Sequence, residues 1–239
     1  MNKNQRPETR ERILTTSIEL FSQKGFDGTS VNLIAHEATV NKALIYYYFK
    51  NKEEILDTAI DSLFAGMTDL TLSFVQETMV EMISSKRLDI LTDCLRFIDK
   101  KSLDEFIERL EDYYLSVLHY AIDKKAVLRI LMLESLKNDS KYSNGLFKFL
   151  KVIQEDDQNT IYKTIYKADQ DFTYTSEMTL HQFFFTIIPI VNFAAYLDDY
   201  KTLSNKENQT LIDSFLRSCH TNTMAFVSGT DLLLHNANN

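Results

Sequence analysis

A short segment near the N-terminus carries the residues whose types and spacing best suit a binding surface. A helix predicted from Asn41 to about Tyr48 presents one lysine, two small or apolar groups and three consecutive tyrosines. At about 100° per residue, Ala43 and Tyr47 point away from the core-facing Ile45. Lysine can reach a phosphate, apolar groups can contact thymine methyls, and tyrosine hydroxyls can bond phosphate oxygens. This set suits a helix in the DNA major groove, whereas the alternative is a small helical core with half-buried tyrosines.

Two further helices must hold this segment in place. The preceding helix is predicted over Val31–Glu37, because apolar residues recur there with a period of 3.6, and Thr29 or Ser30 can cap it. The following helix begins at Asn51, with a glutamate three residues later that completes a capping box. The pattern therefore predicts two short helices joined by a tight turn and followed at once by a third.

The segment from residue 10 to residue 56 resembles the N-terminal domain of the tetracycline-repressor (TetR) family of transcriptional regulators. The matching residues are Ile13, Leu14, Leu20, Phe21, Gly25, Phe26, Thr29, Ser30, Ile34, Ala35, Ala38, Val40, Ile45, Tyr46, Tyr48, Phe49, Lys52, Ile55 and Leu56. Two residues depart from the family pattern. Thr39 stands where the family usually has glycine, and Thr is strained more than Gly in a left-handed turn. Leu44 stands where a small or hydroxylated residue is commoner.

The resemblance implies DNA contacts for eight residues. Those that match positions commonly touching the DNA backbone are Thr29, Lys42, Tyr46, Tyr48 and Lys52. Those that match positions commonly facing bases are Ala43, Leu44 and Tyr47.

The charge distribution is compatible with DNA contact at one end of the chain only. The whole chain carries a formal net charge of −8. Residues 1–52 hold eight Lys/Arg and five Asp/Glu, which leaves +3, while the remainder holds 18 and 29, which leaves −11. Because the local field matters more than the total, a basic N-terminal part can bind DNA beside an acidic body.

The chain is predicted to be all-α. It has 239 residues with only 5 Gly and 2 Pro, so long stretches lack helix breakers. We expect a three-helix helix-turn-helix domain over residues 1–56 and a larger helical effector-binding and dimerisation domain over residues 57–239, about nine or ten helices in all. The helices predicted beyond residue 50 are 51–84, 87–100, 103–122, 125–136, 144–167, 176–200 and 206–226.

The resemblance implies that the last two long helices form a dimer interface, as they usually do in the family. Independently of the resemblance, helix 176–200 is apolar around most of its circumference and must be covered on every side. A homodimer through helices 176–200 and 206–226 would cover it, and the alternative is a central position in one subunit's core.

No residue set supports catalysis or metal binding, so we expect a protein that is not an enzyme and has no cofactor. His36-Glu37 lacks the second histidine of a zinc-binding HExxH helix, and no glycine-rich phosphate loop is present. Cys94 and Cys219 are far apart and are expected to be buried thiols of a cytoplasmic protein. The longest apolar run, Phe183–Val191, is far shorter than the ~18–20 residues of a membrane span.

Aromatic residues with polar tips in the C-terminal part could line a malleable, mostly apolar effector pocket, although each one singly is more often ordinary core. The candidates are Phe106, Tyr113, Tyr114, His119, Met132, Tyr162, Tyr166 and Phe184. His119 could orient a polar group of the ligand.

The sequence therefore favours a homodimeric transcriptional regulator, a repressor that binds a palindromic double-stranded DNA operator and responds to a small, largely apolar effector. The alternative is a helical small-molecule sensor or carrier whose N-terminal domain binds protein and not DNA.

Overall fold

The computed structural model describes residues 5–91, 95–153, 158–172 and 176–227. Counting segments that continue without a break once, these residues form eleven helices and one two-stranded sheet. The α-helices are α1 (Gln5–Lys24), α2 (Val31–Glu37), α3 (Lys42–Tyr48), α4 (Lys52–Phe74), α5 (Glu81–Ser84), α6 (Lys100–Asp123), α7 (Lys125–Ser135), α8 (Lys148–Ile153), α9 (Thr160–Ala168), α10 (Ser176–Gln182), α11 (Ile188–Ala195), α12 (Leu197–Ser204) and α13 (Asn208–Val227). The predicted all-α class and the bounds of α2 and α3 are confirmed.

Three short segments have a different helical or extended geometry. Wider π-helical turns join α4 to α5 over Val75–Val80 and α10 to α11 over Phe183–Ile187, and a 3₁₀ turn over Gly145–Phe147 precedes α8. Strands β1 (Leu88–Ile90) and β2 (Leu95–Phe97) form an antiparallel pair.

The described residues divide into two compact units. The head unit comprises Met1–Gly66 together with Lys124–Leu146, and the body unit comprises Met67–Asp123 together with Phe147–Asn239. The helix-turn-helix therefore shares its unit with a segment far away in sequence, whereas the sequence predicts a boundary at residue 56. That boundary between functions stays a prediction.

Helices α1 to α3 of the head unit enclose a small apolar core. Phe21 and Ile13 of α1 are fully buried, as are Ile34 of α2 and Ile45 of α3. The rings of Phe21 and Phe26 meet edge to face with their centroids 5.1 Å apart. Such a core is small for independent stability, because a domain of about 60 residues buries only ~60% of its unfolded surface.

Residues 124–146 complete the head unit through apolar and polar contacts. Helix α7 packs on α1, and its buried Glu134 accepts hydrogen bonds from Lys137 Nζ at 2.5 Å and Ser140 Oγ at 2.7 Å. Tyr142 is also buried, and its hydroxyl donates to Asp57 Oδ1 of α4 at 3.0 Å. We call residues 137–146 the strap, since they link α7 to α4.

The body unit contains the β-hairpin in place of the helix predicted over residues 87–100, and that prediction is wrong. Leu88 and Ile90 alternate with the less buried Asp89 and so pack into the core on one face of the strand. Arg87 holds the hairpin's start with hydrogen bonds to Glu81 of α5 and Glu105 of α6, at 2.5 and 2.6 Å. An alternation of three residues is too short to distinguish from a helical period in the sequence.

Two other predicted helices are interrupted. The predicted helix 144–167 is two helices, because Asn159 caps a new one by accepting hydrogen bonds from the amides of Ile161 and Tyr162. The predicted helix 176–200 contains the π-helical turn and ends at Ala195, after which α12 starts at Leu197. The prediction over 176–200 was wrong because the apolar pattern continues across its break, whereas the prediction over 144–167 extended a helix through the polar residues 154–160.

No single described helix has the length and apolar composition to cross a bilayer, but the bent pair Thr179–Ala195 and Leu197–Ser204, at 68° to each other, meets those criteria jointly.

Cys219 is buried in the body core, and this burial raises the pKa of its thiol to about 11. The thiol is therefore protonated and unreactive near neutral pH. Cys94 lies outside the described residues.

Candidate nucleic-acid interface and effector cavity

The turn between α2 and α3 is built by backbone hydrogen bonds around Thr39. The Val40 amide donates to the Ala35 carbonyl at 2.9 Å, and the Thr39 amide donates to the His36 carbonyl at 3.1 Å. These two bonds define a Schellman motif, which requires a left-handed residue after the helix. Thr39 occupies that position with φ of 54°. The strain expected from its departure from glycine is therefore present in the structure.

Replacing Thr39 by glycine is expected to stabilise the protein by about 0.5–1 kcal/mol. A left-handed conformation costs a side chain with a Cβ roughly 1–2 kcal/mol, part of which the greater unfolded-state freedom of glycine offsets. For a chain of this size, the melting temperature should rise by about 1–4 °C. The control is Thr15→Gly on the exposed face of α1, which should lower the melting temperature. A decrease on Thr39→Gly would contradict the assigned turn.

Caps fix the first turn of α3 and the start of α4. Asn41 Oδ1 accepts a hydrogen bond from the Leu44 amide at 2.8 Å, and Asn51 Oδ1 accepts one from the Glu54 amide at 2.8 Å. The carboxylate of Glu54 also accepts the backbone amide hydrogen of Lys50. Both predicted caps are therefore present, and they fix the residues at which α3 and α4 begin.

Helix α3 is anchored by one face and exposed on the other. Ile45 and Phe49 are almost completely buried, while Tyr46 and Tyr47 are 49% and 63% exposed. Lys42 and Ala43 are exposed as well, and Leu44 is half-buried. The ammonium group of Lys42 lies 5.9 Å from the centre of the Tyr46 ring. We call Lys42, Ala43, Leu44, Tyr46 and Tyr47 the α3 surface.

Tyr48 is placed differently from the other two tyrosines. Its ring meets the Tyr47 ring edge to face with centroids 5.0 Å apart. Its hydroxyl oxygen is buried and has no hydrogen-bond partner within the described part of the chain. A contact between this hydroxyl and a phosphate therefore needs a rotation of the side chain. Its predicted DNA contact stays a prediction.

Thr29 and Lys52 have structural roles that the sequence did not indicate. Thr29 is buried, and its hydroxyl donates to the Gly25 carbonyl at 2.9 Å; Ser30, not Thr29, caps α2. Lys52 Nζ donates to the carbonyls of Phe26 at 2.7 Å and Thr29 at 3.1 Å, and lies 4.1 Å from the Phe26 ring centre. The polar atoms of both side chains bond within the head unit, and their predicted contacts with DNA stay predictions.

Replacing Lys52 by methionine is expected to destabilise the head unit by about 1–2 kcal/mol. Methionine keeps most of the apolar stem but leaves two carbonyl oxygens without their charged donor, and the lysine is only half-buried. Thermal unfolding followed by circular dichroism measures the loss. Lys50→Met, at an exposed neighbouring position, should change the melting temperature by less than about 1 °C. Equal effects of the two substitutions would remove the case for a structural Lys52.

The body unit encloses a cavity of about 210 Å³ with mostly apolar walls. Helix α4 and the π-helical turn after it contribute Met67, Thr71, Phe74 and Val75. Helices α6, α9 and α13 supply further walls, together with Phe185, Thr186 and Ile187 of the second π-helical turn. Its polar lining groups include the side chains of Tyr113, Tyr114, Asn159, Tyr162, His181, Gln182, Thr186, Asn222 and Thr223.

The predicted pocket residues separate into two groups. Phe106, Tyr113, Tyr114 and Tyr162 all line the cavity. The other four do not: His119, Tyr166 and Phe184 are exposed, and Met132 lies on α7 in the head unit. The inward face of each helix depends on its packing, which aromatic character alone does not indicate.

The contribution of α4 to the cavity was missed by sequence reasoning. Met67, Thr71 and Phe74 follow each other at intervals of four and three residues, which places them on one face of a helix. This spacing is the signal that could have found them. All three residues lie on α4, which starts at Lys52 directly after the helix-turn-helix.

The helices predicted to form a dimer interface carry several exposed apolar side chains. The exposed ones include Leu180, Phe184, Phe185, Tyr196, Tyr200 and Leu203, which are between 36% and 85% exposed. All of them lie between residues 179 and 204. Helix α13 is mainly polar on its outer face, with Leu211 and Phe215 half-buried.

The N-terminal part of the chain matches a known family. Residues 13–59 match the model described as bacterial regulatory proteins of the tetR family. YttP of Bacillus subtilis, named as an HTH-type transcriptional regulator, is 30% identical over 102 residues, 42% of this chain and 49% of YttP. IcaR of Staphylococcus epidermidis, named as the negative transcriptional regulator of the biofilm operon icaADBC, is 36% identical over 63 residues, 26% of this chain and 34% of IcaR. The matched segments thus span half or less of the length of these curated relatives.

Solved structures share the fold over nearly the whole chain. A protein from Mesorhizobium loti assigned to the TetR family of transcriptional regulators has a TM-score of 0.54 at 14% identity, covering 96% of this chain and 98% of its own. A TetR-like transcriptional regulator from Rhodococcus sp. RHA1 has a TM-score of 0.51 at 14% identity, covering 91% and 96%. These likenesses extend beyond the N-terminal match and concern the fold alone.

Proposed function

We propose that this chain, which belongs to the TetR family of bacterial regulatory proteins, is a homodimeric transcriptional repressor. It binds a palindromic operator through the head unit and responds to a small, largely apolar effector held in the body unit. The protein acts in the cytoplasm. The name of IcaR, a negative regulator, supports repression as the direction of control.

The observation that carries the proposal is the α3 surface. A helix of seven residues, anchored by Ile45 and Phe49, exposes a lysine, an alanine and two tyrosines. Helix-turn-helix proteins insert the second helix of the motif into the major groove and contact base edges with its exposed side chains. The lysine and tyrosine hydroxyls can bond phosphates, while Ala43 and Leu44 can contact thymine methyls.

Helix α4 supplies the physical link between operator and effector. It begins at Lys52 in the head unit, and its C-terminal part contributes Met67, Thr71 and Phe74 to the cavity wall in the body unit. An effector that prefers one position of this helix would shift the head. Such coupling requires that the effector binds the protein with different affinities in the two positions of α4.

A homodimer through α10 to α13 would cover the exposed apolar side chains between residues 179 and 204. Exposed groups of this size, such as Phe184 and Leu203, are typical of a protein interface. Two heads related by a two-fold axis would reach successive major grooves about 34–36 Å apart, which is why we propose a palindromic operator.

Lys42 provides the direct test of DNA binding. With a random-sequence duplex titrated at two salt concentrations, Lys42→Ala should weaken binding and reduce the slope of log K against log salt by about one per subunit. The control, Lys148→Ala, removes an exposed lysine of the body unit and should leave the slope unchanged.

The same titration separates the two candidate functions. A salt-independent or undetectable affinity for duplex DNA in the unsubstituted protein would reject the regulator and favour a sensor whose head binds protein. Selection of bound duplexes from a random pool then gives the operator, and a palindrome should emerge if two heads bind together.

A further inference from the structure

We propose that the body cavity takes a compact, uncharged aromatic compound of about one ring that carries a hydroxyl or carbonyl group. This inference rests on the proposed function only for its biological role as an effector, since binding itself depends on the cavity alone. It narrows the ligand from largely apolar to a defined size, shape and charge.

The size of the cavity sets the first limit. Its volume of about 210 Å³ exceeds the roughly 150 Å³ of an apolar cavity known to bind benzene. One aromatic ring with a small substituent therefore fits without displacement of the walls. We expect a long acyl chain to bind more weakly, because pockets that bury larger, drug-sized ligands span roughly 300–1,000 Å³.

The walls are aromatic on several sides, which favours a flat ligand. The rings of Phe74 and Tyr113 stack with centroids 4.6 Å apart, and Phe74 also lies 6.1 Å from Phe106. The rings of Tyr162, on α9, and Phe172, in the loop after α9, have centroids 5.7 Å apart. Offset stacking and edge-to-face contacts at these distances stabilise aromatic pairs beyond the burial of apolar area alone. A ligand ring can join this cluster.

Hydroxyl groups give the cavity a polar side. Tyr113 and Thr71 share a hydrogen bond of 2.9 Å, and the Thr223 hydroxyl donates to the Tyr114 hydroxyl at 3.3 Å. A hydroxyl has one donor hydrogen and two acceptor lone pairs. Because the Thr71 hydroxyl also donates to the Met67 carbonyl at 2.9 Å, the Thr71–Tyr113 pair can accept from a ligand hydroxyl, whereas the Tyr114 hydroxyl keeps its hydrogen for a ligand carbonyl. A single hydroxyl or carbonyl on the ring would use this capacity.

The charge of the lining disfavours ionic ligands. Among the described lining residues there is no lysine, arginine, aspartate or glutamate. Burial raises the pKa of Tyr113 to about 12 and also raises the pKa of Tyr114, so both hydroxyls remain neutral. A charged ligand would lose its hydration without gaining a fixed counter-charge. His181 is the lining residue whose type can become charged near neutral pH.

The first experiment compares matched ligands on the full-length protein by isothermal titration calorimetry at about pH 8, where imidazole is largely neutral. The set is acetophenone, benzoate, benzylamine and dodecanoate. We expect acetophenone to bind at least about tenfold more tightly than the three charged compounds. Tighter binding of any charged compound, or no heat and no rise in melting temperature with acetophenone at about 5 mM, would overturn the proposal.

The second experiment locates the bound ring with a hydroxyl deletion. Tyr113→Phe should weaken phenol about fivefold, the loss expected for one hydrogen bond, while toluene binds within about twofold of its original affinity. Tyr166→Phe, at an exposed tyrosine outside the cavity, should change neither affinity. If Tyr113→Phe weakens both ligands equally or neither, the proposed polar contact is wrong.

Because no DNA is present in these titrations, they can succeed even if the regulator proposal fails. The role as an effector is tested separately, by the affinity for the selected duplex with and without acetophenone. Binding in the cavity without any change in duplex affinity would support the ligand class and reject the effector role.

Discussion

Tyr142→Ala is expected to destabilise the head unit by about 3–5 kcal/mol, the usual cost of truncating a large buried aromatic side chain. Tyr142 is only 3% exposed, and its ring lies edge-on to Phe26 with centroids 6.2 Å apart. Its hydroxyl bonds to Asp57, which also pairs with Lys141 at 2.6 Å. The substitution therefore removes the apolar contact of the strap and the hydrogen bonds that the Tyr142 hydroxyl makes to α4, to Asp57 Oδ1 at 3.0 Å and to the Glu53 carbonyl at 3.3 Å.

Hydrogen exchange followed by mass spectrometry on peptides from α1 to α3 measures this effect, because local opening of one unit need not unfold the other. Tyr142→Phe keeps the ring and should cost about 1–2 kcal/mol. Tyr166→Ala, at a position 45% exposed, should change exchange in the head by less than about 0.5 kcal/mol. If Tyr142→Ala left exchange in α1 to α3 unaltered, residues 137–146 would not stabilise the helix-turn-helix.

The double substitution Leu44→Ala and Tyr47→Ala should reduce the ratio of specific to non-specific DNA affinity by at least about 100-fold. Each lost base contact is worth roughly 1–3 kcal/mol, and both side chains belong to the part of the α3 surface that we propose faces the bases. Neither carries charge, so affinity for random duplex should change little. The measurement compares the selected operator with a scrambled duplex at one salt concentration.

A matched pair of substitutions controls for the loss of exposed apolar side chains in general. Leu136→Ala with Tyr166→Ala removes a leucine 83% exposed and a tyrosine 45% exposed, both away from α3. This control variant should retain the full ratio of specific to non-specific DNA affinity. A parallel loss of affinity for operator and random duplex in the α3 variant would show that these residues stabilise the head and do not specify bases.

Local signals explain what the sequence could predict. The bounds of α2 and α3 follow from a cap at each start and an apolar period of two turns, and both are read from neighbouring residues. The left-handed Thr39 follows from the resemblance, because the family usually has glycine at this position. Each of these features depends on contacts within a few residues along the chain.

Features that depend on distant residues could not be predicted in this way. Lys52 and Phe26 are 26 positions apart, and Tyr142 and Asp57 are 85 apart. No neighbouring residue indicates either bond. Because a lysine at a helix N-terminus is also a natural phosphate ligand, the sequence indicated a DNA contact for Lys52 and gave no sign of these internal bonds. The lining of the cavity also depends on packing between distant residues, so only four of the eight candidate residues line it.

The path of the backbone has a consequence for protein engineering. The chain leaves the head unit after Gly66, re-enters it at Lys124 and leaves it again after Leu146. A chimera that transplants only the first 56 or 66 residues onto another regulator's body would lack Glu134, Lys137 and Tyr142. Exchange of operator preference between such proteins therefore calls for a two-piece graft, or for transfer of the α3 surface alone.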